Sequence, residues 1–254
     1  MTVRAKFNAA LVLLAMTLVP ALAHASVVLS GTRVIYEQKE REVTLKMSNE
    51  GNLSALVQTW IDDGNVNALP DEVSVPFTLT PPLFRVDPKK GQALRIIYSQ
   101  DPLASDRESL FWLNVLEIPP QAAASPEAPN SLQLAFRTRI KLFFRPTGLP
   151  GDPAGAAAQM TWRFVRKDDN KYVLVATNPS PFHVTISKVA TEVGGVVWRN
   201  DTGAMVAPRA TAEFDVGPVT HINSEVPTKV DFMSVNDYGA GVEGVFPAQQ
   251  LQKP

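Results

Sequence analysis

Apolar and polar residues alternate with a period of two through much of this chain, as they do in strands with one face buried. Val43-Thr44-Leu45-Lys46-Met47 carries the alternation, and Asn49, Glu50, Gly51 and Asn52 end it in a turn. Further strands are predicted at Ala55 to Ile61, Phe77 to Leu79, Leu94 to Tyr98, Leu110 to Ile118 and Leu132 to Phe144. Pro81-Pro82, Pro119-Pro120 and Pro146 stop three of them, because proline cannot donate to a ladder. Thr147 to Ala158 is rich in Gly, Pro and Ala and reads as a linker or domain boundary. Strand patterns then resume at Met160 to Val165, Tyr172 to Ala176, Val184 to Val189, Val196 to Trp198, Ala212 to Val216 and Val230 to Val235. The pattern predicts an all-β chain of two immunoglobulin-like β-sandwich domains, residues 26–147 and 148–254.

The N-terminal segment follows a different logic. Arg4 and Lys6 precede an apolar run from Ala9 to Val19, followed by Pro20 and then Ala23-His24-Ala25. The run is shorter than the ~20 residues a spanning helix needs. Positive start, short apolar run and small residues predict a cleavable signal peptide, residues 1–25, cut after Ala25. An N-terminal anchor is the alternative, disfavoured by the polar stretch after Ser26. No other long apolar stretch follows, so membrane insertion is not expected.

Composition narrows the chemistry. The chain has 254 residues, 45% hydrophobic, with 24 Lys+Arg against 25 Asp+Glu. That apolar fraction excludes wholesale disorder, and the balanced charge argues against nucleic-acid binding. The absence of Cys excludes disulfides and thiolate chemistry. His24 leaves with the signal, while His183 and His221 show no ligand spacing, so no metal is expected. Gly239 to Gly244 contains a G-x-G-x-x-G, but Val245-Phe246-Pro247 follows instead of a helix, so it reads as a hairpin turn. No carboxylate pair is marked out as acid and base. No catalytic residue and no cofactor is expected.

What remains is the strand pattern from Leu132 to Phe144, 13 residues against a mean of ~5–6. Leu132, Leu134, Phe136 and Ile140 share one face; Arg137, Arg139 and Lys141 share the other. Such a strand is either fully paired in its own domain or outruns the sheet and leaves an apolar edge for a partner.

Here the residues carry a resemblance. Ile140 to Pro146 (IKLFFRP) resembles the signature strand of the periplasmic pilus-assembly chaperones, the PapD-like family. Asp106 to Trp112 (DRESLFW), Asn114 to Pro120 (NVLEIPP), Thr32-Arg33, Asn178 to Phe182 (NPSPF) and Asn236 to Gly239 (NDYG) match further family motifs in family order. The resemblance implies a boomerang of two immunoglobulin-like domains around a cleft. It implies that Arg33 and Lys141 anchor the C-terminal carboxylate of a pilin subunit. It implies that Leu132, Leu134 and Phe136, with Ile140 sharing their parity, are donor-strand anchors entering the subunit's groove. Glu108, Arg145 and Asp237 match a set that pairs charges between the domains. The implied partners are pilin or fimbrial subunits and an outer-membrane usher; self-association of the free chain through the same edge is left open. With only Gln121 to Ser131 before the donor strand and no Cys, the chain resembles the short-loop branch. Two readings from other classes stand beside it: a secreted binding module that captures ligand in its loops, and a hydrolase on a sandwich scaffold.

Overall fold

The computed structural model describes residues 26–120, 133–168, 171–193, 195–218, 227 and 229–247. Residues 1–25, with the expected signal peptide, and His221 lie outside them.

Among the described residues the first sandwich holds nine strands: β1 (Val27–Leu29), β2 (Arg33–Glu37), β3 (Val43–Asn49), β4 (Ala55–Asp62), β5 (Phe77–Thr80), β6 (Leu83–Val86), β7 (Gly91–Tyr98), β8 (Ser109–Ile118) and β9 (Phe136–Arg145). They form one sheet in the order β1-β3-β7-β5 and another in the order β2-β9-β8-β4-β6. Inward residues of both sheets meet in one core. Its centre is aromatic: Tyr36 stacks on Phe144, and Phe77 meets Tyr36 and Phe111 edge-on.

The second sandwich follows two short 3-10 turns, Pro153–Gly155 and Ala157–Gln159. Its strands are β10 (Thr161–Asp168), β11 (Lys171–Thr177), β12 (Val184–Val193), β13 (Val196–Asn200), β14 (Ala204–Val206), β15 (Thr211–Pro218), β16 (Lys229–Val235) and β17 (Gly241–Pro247). The sheets run β10-β11-β15 and β13-β12-β16-β17, with β14 also on β12. Trp162, Phe164, Phe214, Phe232 and Phe246 fill the core between them.

In the Gly- and Pro-rich segment before Met160, read as a linker or domain boundary, Ala156 is buried and Leu149 and Ala157 pack on the second core. Two expectations shift. Within Gly239 to Gly244, the turn occupies Asn236 to Ala240, closed by Gly239 N–H donating to the Asn236 carbonyl (2.9 Å), and Gly241 onward is strand. Strand β9 starts at Phe136, four residues after the predicted Leu132. Residues 133–135 are not strand, and Leu132 lies outside the described residues.

Among the described residues all strand pairs are antiparallel except β2 with β9, which is parallel over Arg33–Lys141 to Glu37–Arg145. β8 pairs with β9 from Phe136 to Phe144. β2 therefore covers only the second half of β9. Among the described residues, no strand pairs with the outer edge of Phe136 to Ile140.

Candidate functional site

The point where β2 ends its cover of β9 brings Arg33 and Lys141 together. They are opposite partners in the parallel register, so their side chains leave the same face. That face is turned from the first core and toward the second domain. Arg33 Nη1 donates to the Val235 carbonyl at 3.0 Å, and Lys141 Nζ donates to Thr185 Oγ1 at 3.3 Å. The Arg33 guanidinium lies 5.8 Å above the Phe143 ring, and the Lys141 ammonium 5.7 Å above the Trp112 ring.

Neither cation is within ion-pair distance of a carboxylate among the described residues, and Arg33 Nε is buried without a hydrogen-bond partner. The electrostatic consequence is direct. Burial, and then the neighbouring Arg33 charge, push Lys141 from its ordinary 10.5 down to about 8. Burial also lowers Arg33, against a raising pull from Asp237. Two half-buried like charges side by side are costly, and an anion placed between them relieves both.

Asp237 cannot supply that anion, because Arg145 holds it. Arg145 Nη1 and Nη2 bind Asp237 at 2.8 and 3.0 Å, its Nε binds Glu108 at 2.7 Å, and Nη1 reaches Glu37 at 3.3 Å. Burial alone would lower the Arg145 pKa; the bonds to Asp237 and the charge of Glu108 outweigh it and raise it. The structure thus brings Glu108, Arg145 and Asp237 into one network across the domain junction. His183 joins them: its backbone N–H donates to Glu108 at 2.7 Å, and its Nδ1 lies 3.2 Å from the same oxygen. Gly239, at φ +82°, lets the turn bearing Asp237 approach the first domain, where a Cβ would run into the Thr32 hydroxyl. A cavity of about 300 Å³ between the domains is lined by Arg33, Phe143, Arg145 and Asp237.

Of the expected donor positions, Phe136 opens the uncovered half of β9, and Leu134 lies just before it. Leu134 and Phe136 are 53% and 52% exposed, far more than large apolar side chains in a core. Ile140 differs and is a correction to the expected set: it is 8% exposed and packs inside the first core. At Ile140 the opposite sheet is still beneath β9, so its side chain is consumed by its own domain.

The other face of β9 holds a network that alternation alone did not reveal. Asp62 is fully buried and takes Arg139 bidentately, Nε at 3.0 Å and Nη2 at 2.5 Å. Asn114 Nδ2 donates to Asp62 at 2.8 Å, and its Oδ1 accepts from Arg137 Nε and Nη2 at 2.9 and 2.6 Å. The guanidinium groups of Arg137 and Arg139 lie 4.8 and 4.1 Å above Trp60 and Trp112. These partners sit far apart in sequence, on β4, β8 and β9. The signals that could have found them are the charged residue closing β4 and the Arg-Thr-Arg of β9.

Residues 26–150 match the model of a pili and flagellar-assembly chaperone, PapD N-terminal domain, and residues 155–246 that of the pili assembly chaperone PapD, C-terminal domain. The chain is 47% identical over 237 residues to chaperone protein FimB/FhaD of Bordetella pertussis, covering 92% of this chain and 90% of that one. It is similar to the crystal structure of the YadV chaperone, with a TM-score of 0.72 and 40% identity, covering 87% and 99% of the two chains. It is also similar to a solved structure of the SafA pilin of Salmonella enterica in complex with the SafB chaperone, with a TM-score of 0.70 and 28% identity, covering 87% and 96%. With both domain models matched in order and this level of identity along the chain, the protein belongs to the PapD-like family of pilus-assembly chaperones, which are periplasmic chaperones and not a class of enzyme.

Proposed function

We propose that this protein captures pilin or fimbrial subunits in the periplasm by lending them β9, and passes them to an outer-membrane usher without catalytic turnover of its own. The mature chain begins at Ser26 after loss of residues 1–25, with domains 26–147 and 148–254. Arg33 and Lys141 bind the pilin's C-terminal carboxylate through charge-assisted hydrogen bonds, with Arg33 able to engage it in a fork. That contact fixes the register. The backbone of Phe136 to Ile140 then pairs with the pilin, and Phe136, Leu134 and Leu132 enter its groove on alternate positions. Each anchor, fully buried, contributes ~1.5–3 kcal/mol. The Glu108–Arg145–Asp237 network holds the second domain where Thr185 and Val235 face the anchor.

One observation carries this reading: the two carboxylate-free cations stand where the uncovered half of β9 begins. The SafA–SafB structure shows a pilin with a chaperone of the same fold. The test is coexpression of a cognate pilin with wild type and with Lys141→Ala. A 1:1 complex with wild type and none with the folded variant is expected. A pilin equally stable without this chain, or held equally by the variant, overturns the proposal.

A further inference from the structure

Strand β8 sends Phe111, Leu113 and Val115 into the first core, and the next residue on that face is Glu117. It is 8% exposed, a carboxylate in the fourth slot of an apolar row. Among the described residues no Lys or Arg lies within ion-pair distance of it. Its partners among the described residues are both at the start of the described chain. Ser26 Oγ donates to Oε1, and Val27 N–H donates to Oε2 at 3.1 Å. The Ser26 carbonyl in turn accepts from Glu50 N–H at 2.6 Å, so this end is held on two sides. The other charged groups nearby are engaged elsewhere: the Glu50 carboxylate accepts from Ser48 Oγ at 2.8 Å, and Lys89 Nζ donates to the Glu50 carbonyl. Two neutral donors leave a buried carboxylate under-compensated, since a carboxylate can accept about four hydrogen bonds and a buried charge needs a partner.

Ser26 is the residue that follows the expected cut. Before cleavage its nitrogen is an amide with one hydrogen. After hydrolysis of the Ala25–Ser26 bond the same nitrogen is an α-ammonium, beside a side chain already bonded to Glu117. We infer that signal cleavage creates the cationic partner of Glu117: the new Ser26 α-ammonium and the Glu117 carboxylate form an ion pair that exists only in the processed chain. The inference rests on cleavage after Ala25. Its place in the fold gives it consequence. Glu117 is the ladder partner of Phe136, the first residue of β9, so the pair docks β1 beside the point where the donor strand leaves the domain. Processing thereby completes the sandwich next to the capture edge.

The test uses full-length mature chains released from a cleavable fusion: one starting at Ser26, one starting at Ala25, each with and without Glu117→Gln. The extra residue moves the ammonium by about 3.8 Å along the chain. The readouts are the α-amino pKa from pH-dependent acetylation and the Tm. A carboxylate partner favours the charged amine, so the Ser26 start should show an α-amino pKa at least about one unit above the ordinary ~7.7–8.0. Glu117→Gln should return it to that range, and should lower Tm more in the Ser26 start than in the Ala25 start. An ordinary pKa in the folded Ser26 chain overturns the inference, whether or not the variant folds. So does an equal response of both starts. The N-terminal mass of the periplasmic protein separates the two layers: a cut elsewhere overturns the cleavage reading with the inference, whereas a cut at Ser26 with an ordinary amine overturns the inference alone.

Discussion

Replacing Lys141 with Met should stabilise the free protein at pH 7 while abolishing pilin capture. Met keeps an unbranched apolar stem and removes the charge. Folding carries the Lys141 ammonium from an ordinary value of 10.5 to a place where burial and Arg33 hold it at about 8. At about 1.36 kcal/mol per unit, that difference corresponds to roughly 3.4 kcal/mol against the charged form. Lys141 is only half-buried, and solvent screening reduces this to about 1–2 kcal/mol. Its ammonium lies near the outer limit for a cation–π contact with Trp112, which returns about 0.5 kcal/mol and leaves a net gain of about 1 kcal/mol for Met. The sign follows from a base whose folded pKa is lowered. Below about 8 both states carry the charge and the full penalty stands. Between about 8 and 10.5 the unfolded chain keeps a proton that the folded chain has lost, so wild-type stability rises with pH. Above 10.5 both states are neutral and the advantage of Met is gone. Urea unfolding followed by tryptophan fluorescence, at pH 7 and again above pH 10.5, measures this, provided the m-values agree. A Met variant less stable than wild type at pH 7, or an advantage that is the same at both pH values, would refute the reasoning.

The same lowered pKa makes capture pH-dependent: affinity for a peptide ending in the pilin's free carboxylate should weaken above about pH 8, by up to about tenfold per unit, as read by titration calorimetry. Leu134→Asp should leave folding within about 0.5 kcal/mol of wild type, because the side chain is exposed, yet eliminate the pilin complex on copurification. Ile140→Ala should do the opposite in kind, costing about 2–5 kcal/mol in urea unfolding because it opens a cavity in the first core. Arg145→Met should cost about 3–5 kcal/mol, because it strands the buried Glu108 carboxylate. For Asp62, burial alone would raise the pKa, but the bonds from Arg139, Asn114 and the Gly64 amide hold it lowered. Its contribution is therefore present above the unfolded value of ~3.9 and lost as pH falls through the lower folded value, a loss absent from Asp62→Asn in an acid unfolding series.

Much of the fold was legible along the chain because strands declare themselves locally. Alternation at Val43 to Met47 and the apolar-rich run Leu110 to Ile118, with turn residues and prolines between runs, are enough to place β3 and β8 and the sandwich class. Among the strands that alternation did not reveal, β1, β6 and β14 have three or four residues each, too few to show a period, and β17, seven residues, begins inside the glycine-rich stretch read as a turn. Strand β2 was met only through its Thr32-Arg33 motif, because its burial depends on a parallel partner more than 100 residues away.

The candidate site divides in the same way. Sequence alone determined which residue types were available: a donor-strand pattern with apolar residues on one parity and Arg137, Arg139 and Lys141 on the other, and motif residues for a carboxylate anchor and a domain junction. It could not separate Ile140 from Leu134 and Phe136, since parity names a face and not what lies beneath it. Only the tertiary structure decided that. Ile140 packs among the residues of the first core, whereas Phe136, four residues earlier on the same parity, is half exposed, so one side chain is core and the other is offered outward. It also decided that Arg145 takes Asp237 and leaves Arg33 and Lys141 without a carboxylate among the described residues. Periodicity is a property of neighbours in the chain, whereas burial and charge compensation are properties of neighbours in space.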